Sequence, residues 1–296
     1  MNKDKKPWYL KKRKPAPPSE RVHRDRKKEA RRTFARGPAA GERYNESEEK
    51  KNERDSIQVG GRVGFNEVQE IPERFRDVDF PVELALPWRY ELWETAQAQF
   101  DHMLESLGSL SLNVISVHAT QGWISKDSFL EWGLKTCHLA GRLDAETVTV
   151  HPNRSKKPRE GHQQAALRHL AEVQRQTTVI LSVETFEGKG RIFTIREVMD
   201  FGLPMTLDTS HIREDKQIIE IIESYRRNIP VVHLSARNEL KQHLPVDRFC
   251  LDLVQYLVRL GWAGNIVLEY LPDFHDQLRA DVEKVRRIVE GEKRVD

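Results

Sequence analysis

The sequence predicts a (β/α)8 barrel preceded by a basic tail, and three observations support this fold class. From residue 57 onward, eight short β-branched or apolar runs alternate with helix-like segments. Several runs are continuously apolar, such as residues 179–183, which is typical of parallel strands buried on both faces. The chain has 296 residues, and the region from 57 to 296 is close to the about 250 residues of one barrel. We therefore predict a disordered tail over 1–56 and a barrel over 57–296.

The predicted elements follow one another with room for a helix between most strands. The strands cover residues 57–60, 80–86, 113–119, 147–151, 178–184, 205–208, 229–234 and 265–270. The helices cover residues 90–107, 126–141, 159–175, 194–201, 213–226, 247–260 and 275–290, and the connection 64–77 has room for only a turn of helix. An open doubly wound sheet is the alternative. The glycine-rich stretch 60–64 is not followed by the long helix of a nucleotide-binding turn, which disfavours that alternative.

The formal net charge of +3 combines two regions of opposite sign. Residues 1–56 contain 19 Lys or Arg against 10 Asp or Glu, whereas residues 57–296 contain 30 against 36. The tail has very few aliphatic residues, so it cannot bury enough apolar surface to offset its ordering entropy. Two interpretations stay open: an arm that binds nucleic acid or another polyanion, and a segment that only improves solubility.

Cysteine content and hydropathy indicate the compartment. Cys137 and Cys250 lie far apart in apolar helical contexts, so they predict neither a disulfide framework nor a CxxC zinc site. No run approaches the about 18 apolar residues of a membrane-spanning helix. The N-terminus is basic but lacks the apolar segment of a secretory signal. We expect a cytoplasmic protein with no membrane partner.

Ionisable residues end six successive predicted strands or lie in the loops just after them. They are His118, His151, Glu184, Asp208, His211, His233, His243 and Glu269. The carboxyl ends of barrel strands converge on one mouth, where catalytic groups lie. Burying so many carboxylates and imidazoles together is costly unless a divalent cation compensates. The sequence therefore predicts a metal site, with Zn²⁺, Mn²⁺, Fe²⁺ or Mg²⁺ as the ions that suit such ligands.

The segments around these residues resemble those of the xylose isomerase-like TIM barrel superfamily. The matching segments are Val-Glu-Thr at 183–185, Leu-Asp-Thr-Ser-His at 207–211, Val-His-Leu-Ser at 232–235, His-Leu-Pro at 243–245 and Val-Leu-Glu-Tyr at 267–270. The resemblance covers roughly residues 57–290 and excludes the tail. This superfamily contains sugar isomerases and epimerases, inositol-catabolic dehydratases and the endonuclease IV family of DNA-repair enzymes.

The sugar epimerase branch implies one metal ion. By resemblance, Glu184, Asp208, His233 and Glu269 are its ligands. The resemblance also implies that the two glutamates are the catalytic pair, in which one takes a proton from carbon and the other returns it while the metal polarises the substrate oxygens.

The endonuclease IV branch implies up to three zinc ions. By resemblance, His118 and His151 join Glu184 at one ion, and His211 and His243 belong to another. That branch has an aspartate two residues before the last histidine, where this sequence has Lys241. An ammonium group has no lone pair for a metal, so the third ion is in doubt. Between one and three ions of Zn²⁺, Mn²⁺ or Mg²⁺ are therefore expected.

The barrel's net negative charge and its short loops favour a small sugar or sugar phosphate as substrate of an isomerase or epimerase. The additional histidines and the basic tail favour the alternative, an enzyme that cleaves abasic or damaged DNA. A barrel that binds a ligand without turnover is a further alternative. The candidate substrate-binding residues are Trp88, Arg154, Arg237 and Lys241. Glu83, within the second predicted strand, either points into the mouth or makes a structural pair.

Overall fold

A computed structural model describes residues 56–65, 68–87, 97–110, 112–120, 122–152, 160–187 and 191–291. Its eight parallel strands form a closed barrel in which each strand pairs with the next and the last pairs with the first. The predicted (β/α)8 fold class is therefore confirmed. Residues 1–55 of the predicted tail, together with Trp88 and Arg154, lie outside the described residues.

The strands and helices alternate along the chain. The strands are β1 (Ile57–Gly64), β2 (Val82–Ala85), β3 (Val114–His118), β4 (Thr147–Val150), β5 (Ile180–Glu184), β6 (Met205–Asp208), β7 (Val231–Leu234) and β8 (Gly264–Leu268). The α-helices are α1 (Ile71–Arg74), α2 (Gln97–Ser109), α3 (Ser128–Arg142), α4 (Glu160–Arg175), α5 (Ile195–Phe201), α6 (Asp215–Tyr225), α7 (Arg248–Arg259) and α8 (His275–Val289). Short 3-10 helices cover Val68–Glu70, Arg226–Asn228 and Pro272–Phe274.

Most element boundaries agree with the sequence prediction, and β1 shows the largest difference at a strand. It extends to Gly64 rather than ending at residue 60, because its second half pairs with β2 while its first half pairs with β8. This extension places Arg62 inside a barrel strand. The short connection after β1 contains one 3-10 turn and α1, as its length predicts.

The outer helices cover the barrel with one apolar face each. In α8, the buried residues Leu278, Val282, Val285 and Ile288 recur at helical spacing and belong to the main hydrophobic core. A capping box of Thr194 and Glu197 begins α5, and Gly202 ends it with a left-handed φ of 70°. No helix among the described residues combines the length and apolar character needed to span a membrane.

Gly60 lies where β1 approaches the chain before β2 too closely for a side chain. A Cβ atom at this position would lie 2.3 Å from the carbonyl oxygen of Pro81. We expect Gly60→Ala to lower the free energy of unfolding by about 2–3 kcal/mol, because backbone must move to admit the methyl group. Chemical denaturation measures this change.

Gly108 provides the matched control, since a Cβ atom there would meet nothing within 4 Å. It lies in α2, where alanine is favoured over glycine by about 0.5–1 kcal/mol. Gly108→Ala should therefore leave stability unchanged or raise it. Equal stabilities for the two variants would contradict the close approach at Gly60.

Candidate metal centre

The barrel brings the predicted strand-end residues together at its C-terminal mouth. His118, Glu184, Asp208 and His233 are the last or next-to-last residues of their strands, and each is at most 2% exposed. Glu269 follows β8 directly and is also buried. Two groups of these side chains have ligand atoms within 4.8 Å of one another: His118, Glu184, His233 and Glu269, and separately Asp208, His211 and His243. Buried clusters of this composition can hold metal ions.

The first group converges on one nitrogen atom, Nδ1 of His233. Glu184 Oε1 lies 3.1 Å from this nitrogen, and Glu269 Oε2 lies 3.0 Å from it. Asp208 Oδ2 lies 3.9 Å away. A ring nitrogen carries at most one proton, so it cannot donate to all three carboxylates. One cation bound among these oxygen atoms would interact with all three carboxylates.

The second group is organised by Asp208. Its Oδ1 accepts hydrogen bonds from the backbone N–H and hydroxyl of Ser210, at 2.7 and 2.8 Å, and from the N–H of His211 at 3.2 Å. These bonds fix the carboxylate so that Oδ2 faces His211 and His243, whose Nδ1 atoms lie 3.3 and 3.9 Å away. Asp208 therefore faces both groups with the same oxygen.

Two further imidazole contacts gather at Glu184. His151 Nε2 lies 2.6 Å from Glu184 Oε2, and His118 Nε2 lies 3.8 Å from the same oxygen. The two Nε2 atoms are 3.2 Å apart. His118 Nδ1 lies 3.2 Å from the carbonyl oxygen of Ala119, so donating a proton to that oxygen leaves Nε2 with a free lone pair. Both oxygens of the Glu184 carboxylate are therefore close to imidazoles.

The carboxylates share a feature that fits a divalent ion. Oε2 of Glu184, Oε2 of Glu269 and Oδ2 of Asp208 are buried and accept no hydrogen bond of acceptable geometry from the described residues. Buried charged oxygens without partners are costly, and the close His233 and His151 contacts do not supply correctly directed hydrogen bonds. A divalent cation would compensate all three oxygens, so the residues present fit such an ion.

Arg62 is a partly buried residue of the site that sequence reasoning missed. Its guanidinium Nη1 donates to Glu269 Oε1 in an ion pair with side-chain exposures of 18% and 11%. In register, Arg62 pairs with Glu83 of β2, while Gly61 pairs with Leu268, the residue before Glu269. In the sequence, Arg62 follows two glycines in a largely apolar run. This position does not indicate which residue the guanidinium contacts.

Glu83 points into the barrel, which decides between the two alternatives left by the sequence. It is fully buried on β2, and its Oε1 and Oε2 atoms lie 3.1 and 3.2 Å from Nε2 of His233. The hydroxyl of Ser116 donates to Glu83 Oε2 at 2.8 Å. Glu83 therefore contacts the opposite nitrogen of the same ring that faces Glu184 and Glu269.

The described candidate substrate-binding residues lie in the loop after β7. Arg237 donates to the carbonyl oxygens of Thr209 and Arg213 and pairs with Asp215, so its guanidinium ties this loop to the start of α6. Lys241 is exposed, and its backbone N–H donates to Asn238 Oδ1 at 2.8 Å. Substrate binding by Arg237 and Lys241 stays a prediction, as it does for Trp88 and Arg154 outside the described residues.

His243 has an unusual backbone conformation for a residue with a side chain. Its φ of 56° lies in the left-handed region, which non-glycine residues rarely adopt. A bridge between Ala236 and Leu244 and a hydrogen bond from Leu271 N–H to the His243 carbonyl hold it there. Such strain tends to persist where the surroundings fix it for a function, and here it directs the ring toward Asp208 and Glu269.

The cluster shifts the pKa values of its members in opposite directions. Burial raises the pKa of Glu184 and Glu269, but their neighbours outweigh it: the imidazoles around Glu184 and the guanidinium of Arg62 beside Glu269 hold each pKa well below the ordinary 4.5. Burial lowers the pKa of His233, but the negative charge of Glu83 and the close carboxylates of Glu184 and Glu269 outweigh it and raise the pKa well above 6.5. The metal-free cluster is therefore held together by ionised carboxylates and a protonated His233.

These shifts predict the pH dependence of stability in the metal-free protein. Stability from Glu184 and Glu269 is present above pH 4.5 and is lost as the pH falls through their lowered folded pKa values. Stability from His233 is present below pH 6.5 and is lost as the pH rises through its raised folded pKa. We expect the melting temperature to decline on both sides of this window.

A divalent ion should remove the alkaline decline, because it takes the place of the proton on His233. Thermal melts across acidic, neutral and alkaline pH, with chelator and with excess Mn²⁺ or Zn²⁺, measure both effects. An alkaline decline of equal size with and without metal would contradict the assignment to His233.

Comparisons with known proteins agree with this architecture. The sequence model of the xylose isomerase-like TIM barrel family matches residues 65–288. No curated protein matches the chain. Similar solved structures include a D-tagatose 3-epimerase-like protein, with a TM-score of 0.60 and 15% identity over 78% of this chain and 96% of that one.

Two other similar structures represent different activities. The 3-keto-D-glucoside 4-epimerase from E. coli has a TM-score of 0.57 and 14% identity, covering 78% of this chain and 99% of that one. Endonuclease IV from Thermus thermophilus has a TM-score of 0.52 and 19% identity, covering 79% of this chain and 99% of that one. These identities show a shared fold, and the family match extends over most of the chain. The chain belongs to the xylose isomerase-like TIM barrel family.

Proposed function

We propose that the protein is a divalent-metal-dependent isomerase or epimerase that acts on a small sugar or sugar phosphate. The observation that carries this proposal is the pair of carboxylates, Glu184 at the end of β5 and Glu269 just after β8, whose oxygens lie 3.1 and 3.0 Å from His233 Nδ1. The two carboxylates therefore reach one point of the mouth from separate strands. This arrangement suits proton removal by one carboxylate and proton return by the other.

In the proposed reaction, Glu184, Asp208, His233 and Glu269 hold the ion. A bound divalent ion supplies polarisation of the substrate's carbonyl and hydroxyl oxygens. Glu184 and Glu269 exchange the proton on the carbon next to the carbonyl. Burial of both carboxylates excludes water from the transferred proton, since Glu184 is 1% and Glu269 9% exposed.

One observation favours a second candidate, a zinc phosphodiesterase acting on abasic or damaged DNA. His151 and His118 lie near Glu184 Oε2, and Asp208 faces a further pair of histidines. The candidate ligands are therefore numerous enough for more than one ion. Multi-metal sites of this kind suit phosphodiester cleavage. Against this candidate, residues 57–296 carry six more acidic than basic residues, whereas DNA affinity depends on phosphate neutralisation. We therefore favour the sugar substrate.

The two candidates are separated by one set of incubations. The full chain, loaded with Mn²⁺ or Zn²⁺, is mixed in D2O with ketoses, aldoses and their phosphates, and deuterium at the carbon next to the carbonyl is followed by NMR. We expect exchange that is lost in Glu184→Gln and in Glu269→Gln. In parallel, a duplex with one abasic site is assayed for incision. Incision that is lost in Asp208→Ala, with no deuterium exchange in any sugar, would overturn the isomerase proposal in favour of the hydrolase.

A further inference from the structure

We infer that Glu83 is a positioning residue that fixes the orientation and tautomer of His233, so that the Nδ1 lone pair faces the proposed metal ion. This inference rests on the proposed metal site and adds a residue from β2, a strand that contributes none of the predicted ligands. It concerns how the ligand is prepared rather than which substrate is used.

The contacts of Glu83 determine which nitrogen of His233 carries the proton. An ionised carboxylate only accepts hydrogen bonds, and both of its oxygens lie within 3.2 Å of His233 Nε2. Nε2 therefore carries a proton that Glu83 accepts. Nδ1 lies on the side of Glu184 and Glu269, where a divalent ion would take the place of a proton and accept the Nδ1 lone pair.

Glu83 is itself held in place from behind. The hydroxyl of Ser116 on β3 donates to Glu83 Oε2 at 2.8 Å, and the two residues are partners in the register of β2 and β3. Both side chains are 0% exposed. A hydrogen-bonded chain thus runs through the buried barrel interior from Ser116 through Glu83 to His233. This chain holds the imidazole ring of His233 in one orientation.

Packing alone does not account for a carboxylate at this position. Burying an ionised group is costly, and an apolar side chain would fill the same space on β2 without that cost. A carboxylate is favoured when the His233 ring binds a cation through Nδ1. The hydrogen bond from Nε2 to the carboxylate then strengthens and makes Nδ1 a more basic ligand. Removing such partners weakens metal binding by about 10–100-fold.

The experiment compares full-length wild type with Glu83→Gln and Glu83→Met. Zn²⁺ affinity is measured by competition with a chromophoric chelator, and folding is checked by circular dichroism and thermal melting. We expect Glu83→Met to bind Zn²⁺ about 10–100-fold more weakly than wild type. Glu83→Gln should lie between them, because its amide oxygen still accepts the Nε2 proton but carries no charge.

NMR of ¹⁵N-histidine-labelled protein supplies a readout that packing alone would not change. In Zn²⁺-loaded wild type, His233 should show a protected, downfield Nε2–H proton. It should move upfield in Glu83→Gln and be lost to exchange in Glu83→Met. Glu131→Gln on the outer face of α3, where the carboxylate is 65% exposed and pairs with Lys135, serves as the control and should behave as wild type in both measurements.

The outcomes separate the inference from the proposed function. If wild type binds no Zn²⁺, the proposed metal site fails. If wild type binds Zn²⁺ and the Glu83 variants bind it equally well, the site stands and the positioning role is overturned. If Glu83→Met does not fold, Glu83→Gln alone decides: unchanged affinity together with an unchanged Nε2–H resonance overturns the inference.

Discussion

Replacing Glu184 and Glu269 together with alanine is expected to abolish divalent-metal binding at the barrel mouth. Both carboxylates lie within 3.1 Å of His233 Nδ1, and each has an oxygen without an acceptable hydrogen bond among the described residues. Loss of an outer partner of a metal ligand already weakens binding by about 10–100-fold. Loss of two direct ligands should therefore exceed about 100-fold and leave the protein without metal after dialysis.

Elemental analysis of the purified protein measures this effect, with titration of Mn²⁺ or Zn²⁺ into metal-free samples. The control removes two exposed carboxylates outside the cluster, Glu131 and Glu172, both on outer helices and both in exposed ion pairs with residues one turn away. That variant should keep the full metal content. Equal metal content in wild type and in the Glu184 and Glu269 double variant would remove these residues from the ligand set.

Replacing Arg62 with methionine is expected to destabilise the metal-free protein and to have a smaller effect on the metal-loaded one. The guanidinium pairs with Glu269, which lies in a cluster that also contains the carboxylates of Glu83 and Glu184. Removing one partner of a fully buried pair leaves an uncompensated charge and costs about 3–5 kcal/mol, and this pair is partly buried. The residual exposure of both side chains places our expectation at the lower end, about 3 kcal/mol.

A divalent ion should reduce this loss, because it compensates Glu269 from the other side. A ligand that binds only the folded state stabilises it, and the stabilisation grows with the affinity of the ligand. In Arg62→Met the ion no longer competes with the guanidinium for Glu269. Melting temperatures of wild type and Arg62→Met, with chelator and with saturating Mn²⁺, test this expectation. The difference between the two proteins should narrow when metal is added.

Arg248→Met is the matched control for this measurement. Arg248 lies on α7 with a side-chain exposure of 83% and pairs with Asp252 one turn later. Exposed pairs of this kind contribute about 0–1 kcal/mol, so this variant should melt close to wild type in both conditions. An Arg62→Met loss that is the same with and without metal would show that Arg62 and the ion do not share Glu269.

The two halves of the site differ in how well they could be predicted from the sequence. Glu184, Asp208 and His233 come at the ends of apolar runs that are typical of buried strands. Because the strands of a barrel are parallel, all such ends lie at one mouth. Arg62 and Glu83 lie within strands rather than at their ends. They reach the site because β1 continues past its two glycines and because its register places Arg62 between Glu83 and Glu269.

The eight strands, the alternating helices and the His, Asp and Glu residues at the strand ends could be predicted from the sequence, because these features depend on local periodicity. Which atoms face one another is visible only in the folded chain. Glu83 meets His233 across 150 positions, and Arg62 meets Glu269 across 207. Such pairs depend on strand register and on closure of β8 against β1, which local sequence patterns do not encode.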